Sequence, residues 1–178
     1  MLLKEIEIKI LNINKRELVK KLQKLGAKKS FEGKIKGEFF DYPDYKLENN
    51  KELLRLRTAG EKVVLTFKKK ENDKGKAKCC EEKEIEVENY DKTKEILLSI
   101  GLIVRKGTMT KHRVSYSLGK THFEIETPIE EYSFIPPFME IESDNEKNIY
   151  KYAKLLGYKE KDCLNWTGED VINYYGKK

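Results

Sequence analysis

The chain has 178 residues, of which 38% are charged and 38% hydrophobic, a composition typical of a folded domain with enough apolar residues for a real core. No apolar run approaches the roughly 18 to 20 residues that span a bilayer, and the charged N-terminus is unlike a signal peptide, so we expect a single cytoplasmic domain over residues 1–178 with no membrane partner. The net charge of +6 attracts polyanions in general, and composition does not choose among nucleic acid, anionic lipid and phosphorylated small molecules.

The three cysteines indicate reduced thiols. Cys79 and Cys80 are adjacent and Cys163 is distant, so the spacing predicts neither a disulfide framework nor a zinc site.

The predicted elements alternate between strands and amphipathic helices along the chain. A strand over 3–11 precedes a helix that Asn14 caps, with Leu18, Leu22 and Leu25 inward and Gly26 at its end. Period-two alternation then predicts strands over 38–42, 52–58, 62–70 and 81–88, with a mobile Lys-rich hairpin loop over 69–78.

The second half repeats this plan. A helix opening at Asp91 buries Ile96, Leu97 and Ile100 and ends before Gly101; strands follow over 109–118, 121–127 and 138–143. A helix opening at Asp144 buries Ile149, Ala153 and Leu156, and a short helix over 167–175 follows the Thr167–Asp170 capping pair. This order predicts an α+β domain built on a large antiparallel sheet or barrel.

The strands place charged residues on one face and apolar residues on the other. Only five basic residues are arginines, and three of them, Arg55, Arg57 and Arg113, lie on the charged faces. In an ordinary two-layer sandwich that face is simply wet, whereas in a curled sheet it lines a tunnel. Carboxylates and guanidinium groups that line a tunnel require cations and a polyanion as ligands, and the pattern indicates Mg²⁺ or Mn²⁺ with a chain of phosphates.

The motifs resemble those of the CYTH superfamily, the triphosphate tunnel metalloenzymes, and most closely its class IV adenylate cyclase-like branch. An ExExK motif stands at Glu5–Lys9, and it is followed in the family's order by LRxR at Leu54–Arg57, a Leu-Thr-aromatic-Lys strand at Leu65–Lys68, KxR at Lys111–Arg113 and ExE at Glu140–Glu142. The similarity spans roughly residues 3 to 157.

The resemblance implies an eight-stranded antiparallel tunnel with helices packed outside. By position, the implied metal ligands are Glu5, Glu7, Glu126, Glu140 and Glu142. The implied triphosphate-binding residues are Lys9, Arg55, Arg57, Lys68, Lys111 and Arg113.

The expected function is metal-dependent phosphoryl transfer on a triphosphate. Attack by the ribose 3′-hydroxyl on the α-phosphorus of ATP gives cAMP and pyrophosphate, as in a class IV adenylate cyclase; attack by water on the terminal phosphorus makes the protein an inorganic or thiamine triphosphatase. A non-catalytic nucleotide or polyphosphate sensor is the alternative from another class. A nucleic-acid partner is disfavoured because the basic residues are sorted into strand pairs, and the sequence leaves a homodimer open.

Two further features bear on the site. His122 shares the strand parity of Glu124 and Glu126, while His112 has the opposite parity and is expected to be structural or exposed. The aromatic residues Trp166, Tyr174 and Tyr175 are expected to pack the last helix on the barrel rather than to stack a base.

Overall fold

The computed structural model of the protein describes residues 3–70 and 77–176, and of residues 3–5 and 78 it describes the backbone alone. The strands are β1 (Leu3–Ile10), β2 (Lys28–Asp41), β3 (Glu52–Ala59), β4 (Lys62–Lys70), β5 (Lys78–Val87), β6 (Ile103–Gly107), β7 (Lys111–Leu118), β8 (Thr121–Pro128) and β9 (Phe138–Ser143). The helices are α1 (Lys15–Lys24), α2 (Lys46–Asn49), α3 (Tyr90–Ser99), α4 (Glu146–Leu155) and α5 (Gly168–Gly176).

The sheet closes on itself through antiparallel pairs. Its ring runs β1, β5, β4, β3, β2, β7, β8, β9 and back to β1, and the pairing of β2 with β3 closes it. A short ninth strand, β6, adds to β2 beside the ring. The helices lie outside, so the predicted α+β tunnel is confirmed.

Strand β2 is much longer than predicted, and β6 was missed. The expected strand over 38–42 is only the end of a 14-residue strand whose first half pairs with β7 and whose second half pairs with β3 and β6. Residues 28–37 carry two glycines and an irregular polar pattern, so their strand conformation depends on partners that are distant in sequence.

The helices cover the apolar outer face of the ring. Leu18 and Leu22 of α1 and Ile149 and Ala153 of α4 join one core with the outward residues of β1, β8 and β9, as predicted. Asn14 caps α1 by accepting a hydrogen bond from the backbone N–H of Glu17.

Helix α3 differs from its prediction. Its N-cap is Asn89 rather than Asp91, and only Leu97 of the three expected residues is buried. Ile96 and Ile100 are 62% and 63% exposed. The helix contacts the sheet along one narrow line through Tyr90 and Leu97, so the neighbouring apolar residues remain in solvent. Helix α4, in contrast, begins one residue later than expected, with Asn145 rather than Asp144 as its N-cap.

Helix α5 follows Thr167 as predicted, through reciprocal bonds between Thr167 and Asp170. Its Val171 packs with Met109, Ile135 and Phe138, and Trp166 and Tyr175 contact the same cluster. Because Phe138 is the cross-strand partner of Glu126, its ring lies on the inward face, and α5 therefore covers this end of the ring.

Two further predictions concern the loop between β4 and β5 and the possibility of a membrane-spanning helix. Strands β4 and β5 pair from Lys70↔Cys80 onward, whereas residues 71–76 of the predicted loop over 69–78 lie outside the described residues. None of the described helices is long and apolar enough to cross a membrane.

Candidate functional site

The ladder register places the charged residues in rows across the inward face of the ring. Lys9 lies opposite Glu140, which lies opposite Glu124 on its other side. Cross-strand partners project from the same face of a sheet, so these rows share the interior. The implied site residues whose side chains are described on this face are Glu7, Lys9, Arg55, Arg57, Lys68, Lys111, Arg113, Glu126, Glu140 and Glu142.

Glu5 is the exception among the implied metal ligands. Its backbone pairs with Cys80 of β5, which gives it the parity of Glu7, but its side chain lies outside what the structure describes.

One half of the lining, which we call the carboxylate wall, consists of inward residues of β1, β7, β8 and β9. Its members are Glu7, Lys9, Lys111, Arg113, Glu124, Glu126, Glu140 and Glu142. Carboxylates outnumber cations on this wall. Each of its cations contacts carboxylates directly.

Arg113 is the most heavily paired cation of the carboxylate wall. Its Nη1 lies 2.5 Å from Glu124, its Nε donates to Glu126 at 2.7 Å, and its Nη2 lies 3.6 Å from Glu140. Burial alone would lower the pKa of Arg113, but these three carboxylates outweigh burial and raise the pKa. Arg113 is therefore held as a cation by its neighbours.

Two lysines complete the pairing. Lys9 Nζ lies 3.1 Å from Glu140 and 3.4 Å from Glu7, and Lys111 Nζ lies 2.7 Å from Glu126. Burial raises the pKa of Glu140, but Lys111, Lys9 and Arg113 outweigh it, so that pKa falls well below its ordinary value. Glu140 is therefore ionised at neutral pH.

Three carboxylates of this wall converge on one point. Oxygen atoms of Glu124, Glu126 and Glu140 all lie within 4.8 Å of one another. Burial, opposed by Arg113 and reinforced by Glu126 and Glu140, raises the pKa of Glu124 to about 7. Glu126 is fully buried, and its Oε2 has no hydrogen-bond partner among the described residues. An oxygen-only cluster with a buried, unpartnered carboxylate oxygen fits a hard divalent cation.

The opposite half of the lining, the cation wall, consists of inward residues of β3, β4 and β5. Its members are Arg55, Arg57, Thr66, Lys68, Glu82 and Glu84. Lys68 lies 2.8 Å from Glu82, and Arg57 Nη2 lies 3.0 Å from Glu84. Glu84 also accepts a hydrogen bond from Thr66 at 3.0 Å.

Arg55 differs from every other cation of the implied set. Among the described residues, no carboxylate lies within ion-pair distance of its guanidinium group, and its buried Nε has no hydrogen-bond partner. Burial and the nearby charges of Arg57 and Arg113 lower the pKa of Arg55 to about 10, against the opposing effect of Glu82 and Glu84. The cation wall therefore presents a positive group that lacks an anion.

The roles of several lining residues were not predicted from the sequence. It placed Glu124 on the lining but not in the metal set, and it gave Glu82 and Glu84 no role as partners of Lys68 and Arg57. The parity of each residue was readable, but which residues meet across the ladder depends on register, and one sequence does not reveal register. His122 lies on the inward face as expected, opposite Glu142, while His112 lies on the outer face near Glu32.

Comparisons with known proteins find matches over nearly the whole chain. The sequence model of the CYTH domain matches residues 3–162. A protein of Pyrococcus horikoshii OT3 has a similar structure, with a TM-score of 0.76 and 25% identity over 95% of this chain and 99% of that one. No protein of curated function matches the chain.

Two further solved structures share the fold at lower identity. A Vibrio parahaemolyticus protein described as a "putative adenylate cyclase" has a TM-score of 0.77 and 17% identity over 97% of this chain and 99% of that one. A Hippeastrum protein described as a "putative adenylyl cyclase" with "a dominant triphosphatase activity" has a TM-score of 0.67 and 16% identity over 97% of this chain and 95% of that one.

Proposed function

Since the chain belongs to the CYTH domain family, we propose that it is a metal-dependent phosphoryl-transfer enzyme that binds a triphosphate inside its tunnel. The tunnel joins the two chemistries that this reaction needs, which are a cluster of carboxylates for a hard cation and a wall of cations for a phosphate chain.

The observation that carries the proposal is the unpaired guanidinium group of Arg55. Arg55 is half-buried and its Nε is fully buried; a cation in such a place without a counter-ion is costly, so its environment favours a ligand that supplies negative charge. The guanidinium fork matches phosphate oxygens, and Arg57 and Arg113 stand near enough to act on the same anion.

The metal would be held by Glu124, Glu126 and Glu140, with Glu7 and Glu142 on the same wall. Mg²⁺ and Mn²⁺ are the cations that carboxylate oxygens favour, and such an ion neutralises charge on the phosphates and activates the nucleophile. The unpartnered Oε2 of Glu126 supports this assignment, because a buried carboxylate oxygen without a donor needs a positive partner.

The remaining cations would hold the phosphates. Arg55, Arg57 and Lys68 would face the phosphate chain from the cation wall. Lys9, Lys111 and Arg113 would face the phosphate chain from the carboxylate wall. Fixed positive groups at these positions orient the phosphorus for in-line attack and offset the charge that builds on the leaving oxygen.

Two reactions use this lining. In one, the ribose 3′-hydroxyl attacks the α-phosphorus of ATP and releases pyrophosphate; in the other, water attacks the terminal phosphorus and releases phosphate. The two solved structures whose descriptions name a cyclase and a triphosphatase activity share the fold with this chain at 17% and 16% identity, so both reactions are to be assayed.

The test is a set of separate incubations with ATP, thiamine triphosphate and tripolyphosphate, each with Mg²⁺ or Mn²⁺, in which cAMP, pyrophosphate and phosphate are resolved. We expect at least one substrate to turn over, and the products identify the reaction. EDTA should stop turnover. If every substrate binds and none reacts, the protein is a triphosphate-binding protein and the proposed catalysis is wrong.

A further inference from the structure

A polar cluster lies at the opposite end of the tunnel from α5. Ser117 of β7 and His122 of β8 are cross-strand partners, and Ser117 Oγ lies 3.0 Å from His122 Nδ1. Ser117 Oγ also donates to Ser30 Oγ at 3.1 Å. We call these three residues the rim cluster.

The rim cluster belongs to the same face as the triphosphate lining. His122 lies opposite Glu142 of the carboxylate wall and two residues from Glu124, a separation of about 7 Å along the strand. The cluster thus shares a layer of the lining with Glu7 and Glu142 and lies one layer beyond Glu124 and Glu140, toward solvent.

A strand irregularity brings Ser30 to this position. The register between β2 and β7 shifts between Lys29 and Phe31, so Ser30 is the extra residue of a β-bulge. Bulges redirect side chains and are frequent beside active sites. Here the bulge brings the hydroxyl group of Ser30 to the same point as Ser117 and His122.

The two ends of the tunnel differ in access. Phe138 is 1% exposed under Val171 of α5, whereas His122 and Ser30 are exposed. A triphosphate ester that is held by Arg55 and Arg113 therefore has the rim as the open path for the group attached to its phosphates.

The chemistry of the rim cluster fits an uncharged polar group better than another phosphate. It consists of two hydroxyl groups and an imidazole, and a carboxylate, Glu142, stands opposite His122. The lysines and arginines that suit phosphate lie deeper, on the two walls. Hydroxyl and imidazole groups donate to and accept from hydroxyl-bearing groups such as a ribose.

We propose that the rim cluster is the binding site for the sugar of a nucleoside triphosphate, and that Ser117 and His122 give the enzyme its preference for a nucleotide over a bare phosphate chain. This inference rests on the proposed function and assigns its substrate class. The Nδ1 of His122 is held by Ser117, which leaves Nε2 as the ring nitrogen that would contact the sugar.

The experiment compares kcat and KM for ATP and for tripolyphosphate in the wild type and in four variants. His122→Ala and Ser117→Ala each remove one polar contact, and each should raise KM for ATP about tenfold. Each should change KM for tripolyphosphate by less than about twofold. His122→Gln keeps a donor and an acceptor at this site and should recover most of the affinity for ATP.

The matched control is His112→Ala. It removes the other histidine of the chain, on β7 but on the outer face, and should leave both KM values unchanged. Equal changes for ATP and tripolyphosphate in His122→Ala would overturn the inference, as would a wild type that turns over tripolyphosphate but not ATP. A wild type that turns over thiamine triphosphate alone would also overturn the inference, and one that turns over none of the three triphosphates would instead refute the proposed function.

Discussion

The carboxylate wall and the cation wall arise from the same strand alternation, yet they treat their arginines in opposite ways. Arg113 contacts Glu124, Glu126 and Glu140, whereas Arg55 has no ion pair among the described residues. The two pKa values move in opposite directions: burial, reinforced by Arg57 and Arg113, lowers the pKa of Arg55 to about 10, whereas the carboxylates around Arg113 outweigh burial and raise its pKa.

The difference separates two uses of an arginine that lies inside the tunnel. A paired arginine contributes to the folded state because its loss leaves carboxylates without their counter-charge. An unpaired arginine opposes folding slightly and is retained at a binding site, where the ligand provides the missing charge. Under the proposed function, we therefore expect Arg113 to contribute to both stability and binding, and Arg55 mainly to binding.

The two arginines should differ most in how their replacement changes the free energy of unfolding. Arg113→Met should lower the free energy of unfolding by about 3 kcal/mol, because half-buried Glu124 and fully buried Glu126 lose a shared partner. Arg55→Met should change it by less than about 1 kcal/mol or raise it, because no pair is broken. Urea unfolding of both variants measures the difference, and equal losses would show that the two arginines have the same role.

A second test concerns the pairing of β2 with β3, which closes the ring. A Cβ added at Gly37 would lie 2.4 Å from Leu56 O and 2.8 Å from Arg57 Cα, and these backbone atoms belong to the pairing that closes the ring. Gly37→Ala should therefore cost about 2 kcal/mol of unfolding free energy. Gly168→Ala, where the added Cβ meets nothing within 4 Å, is the control and should stay within about 0.5 kcal/mol. A tolerant Gly37→Ala would mean that β2 and β3 do not lie this close.

The carboxylate wall is tested by its metal requirement. Glu124→Gln keeps the size of the side chain but removes the charge of one of three clustered carboxylates. The concentration of Mg²⁺ or Mn²⁺ that gives half-maximal activity should rise at least about tenfold. The matched variant Glu86→Gln changes an exposed carboxylate of β5 and should leave this concentration unchanged. The same metal requirement in both variants would remove Glu124 from the metal site.

The smallest expected effect concerns the support of Arg57. Thr66→Val removes the hydroxyl group that donates to Glu84, the carboxylate that Arg57 contacts. The loss of this partly buried hydrogen bond should cost about 1 kcal/mol and raise KM for the triphosphate by about fivefold or less. Thr58→Val, on the partly exposed outward side of β3, is the comparison and should not change KM.

Much of the fold could be predicted because local signals agreed with it. Period-two alternation gave most strands, and the helix ends at Asn14 and Gly26 were correct because capping depends on neighbouring residues. Strand β6 and the first half of β2 were missed because their strand conformation depends on long-range pairing. The expected burial of Ile96 and Ile100 was wrong because α3 contacts the sheet along a narrow line.

The site was predictable in its residue types and less so in its contacts. Sorted charges and the family's motifs named the lining residues, and ten of them lie on one face. Their assignment as metal ligands and phosphate ligands stays a prediction. The role of Glu124 beside Glu126 and Glu140, and the unpaired state of Arg55, depend on cross-strand register and could not be read from one sequence.

We propose that a phosphate chain supplies the anion that the cation wall lacks. Calorimetric titration of tripolyphosphate into the wild type, Arg55→Met and Arg16→Met tests it most directly, because Arg16 is an exposed arginine on α1, outside the tunnel. We predict one tight site in the wild type, affinity weakened at least about tenfold in Arg55→Met, and no change in Arg16→Met. Equal affinity in all three proteins would contradict the account.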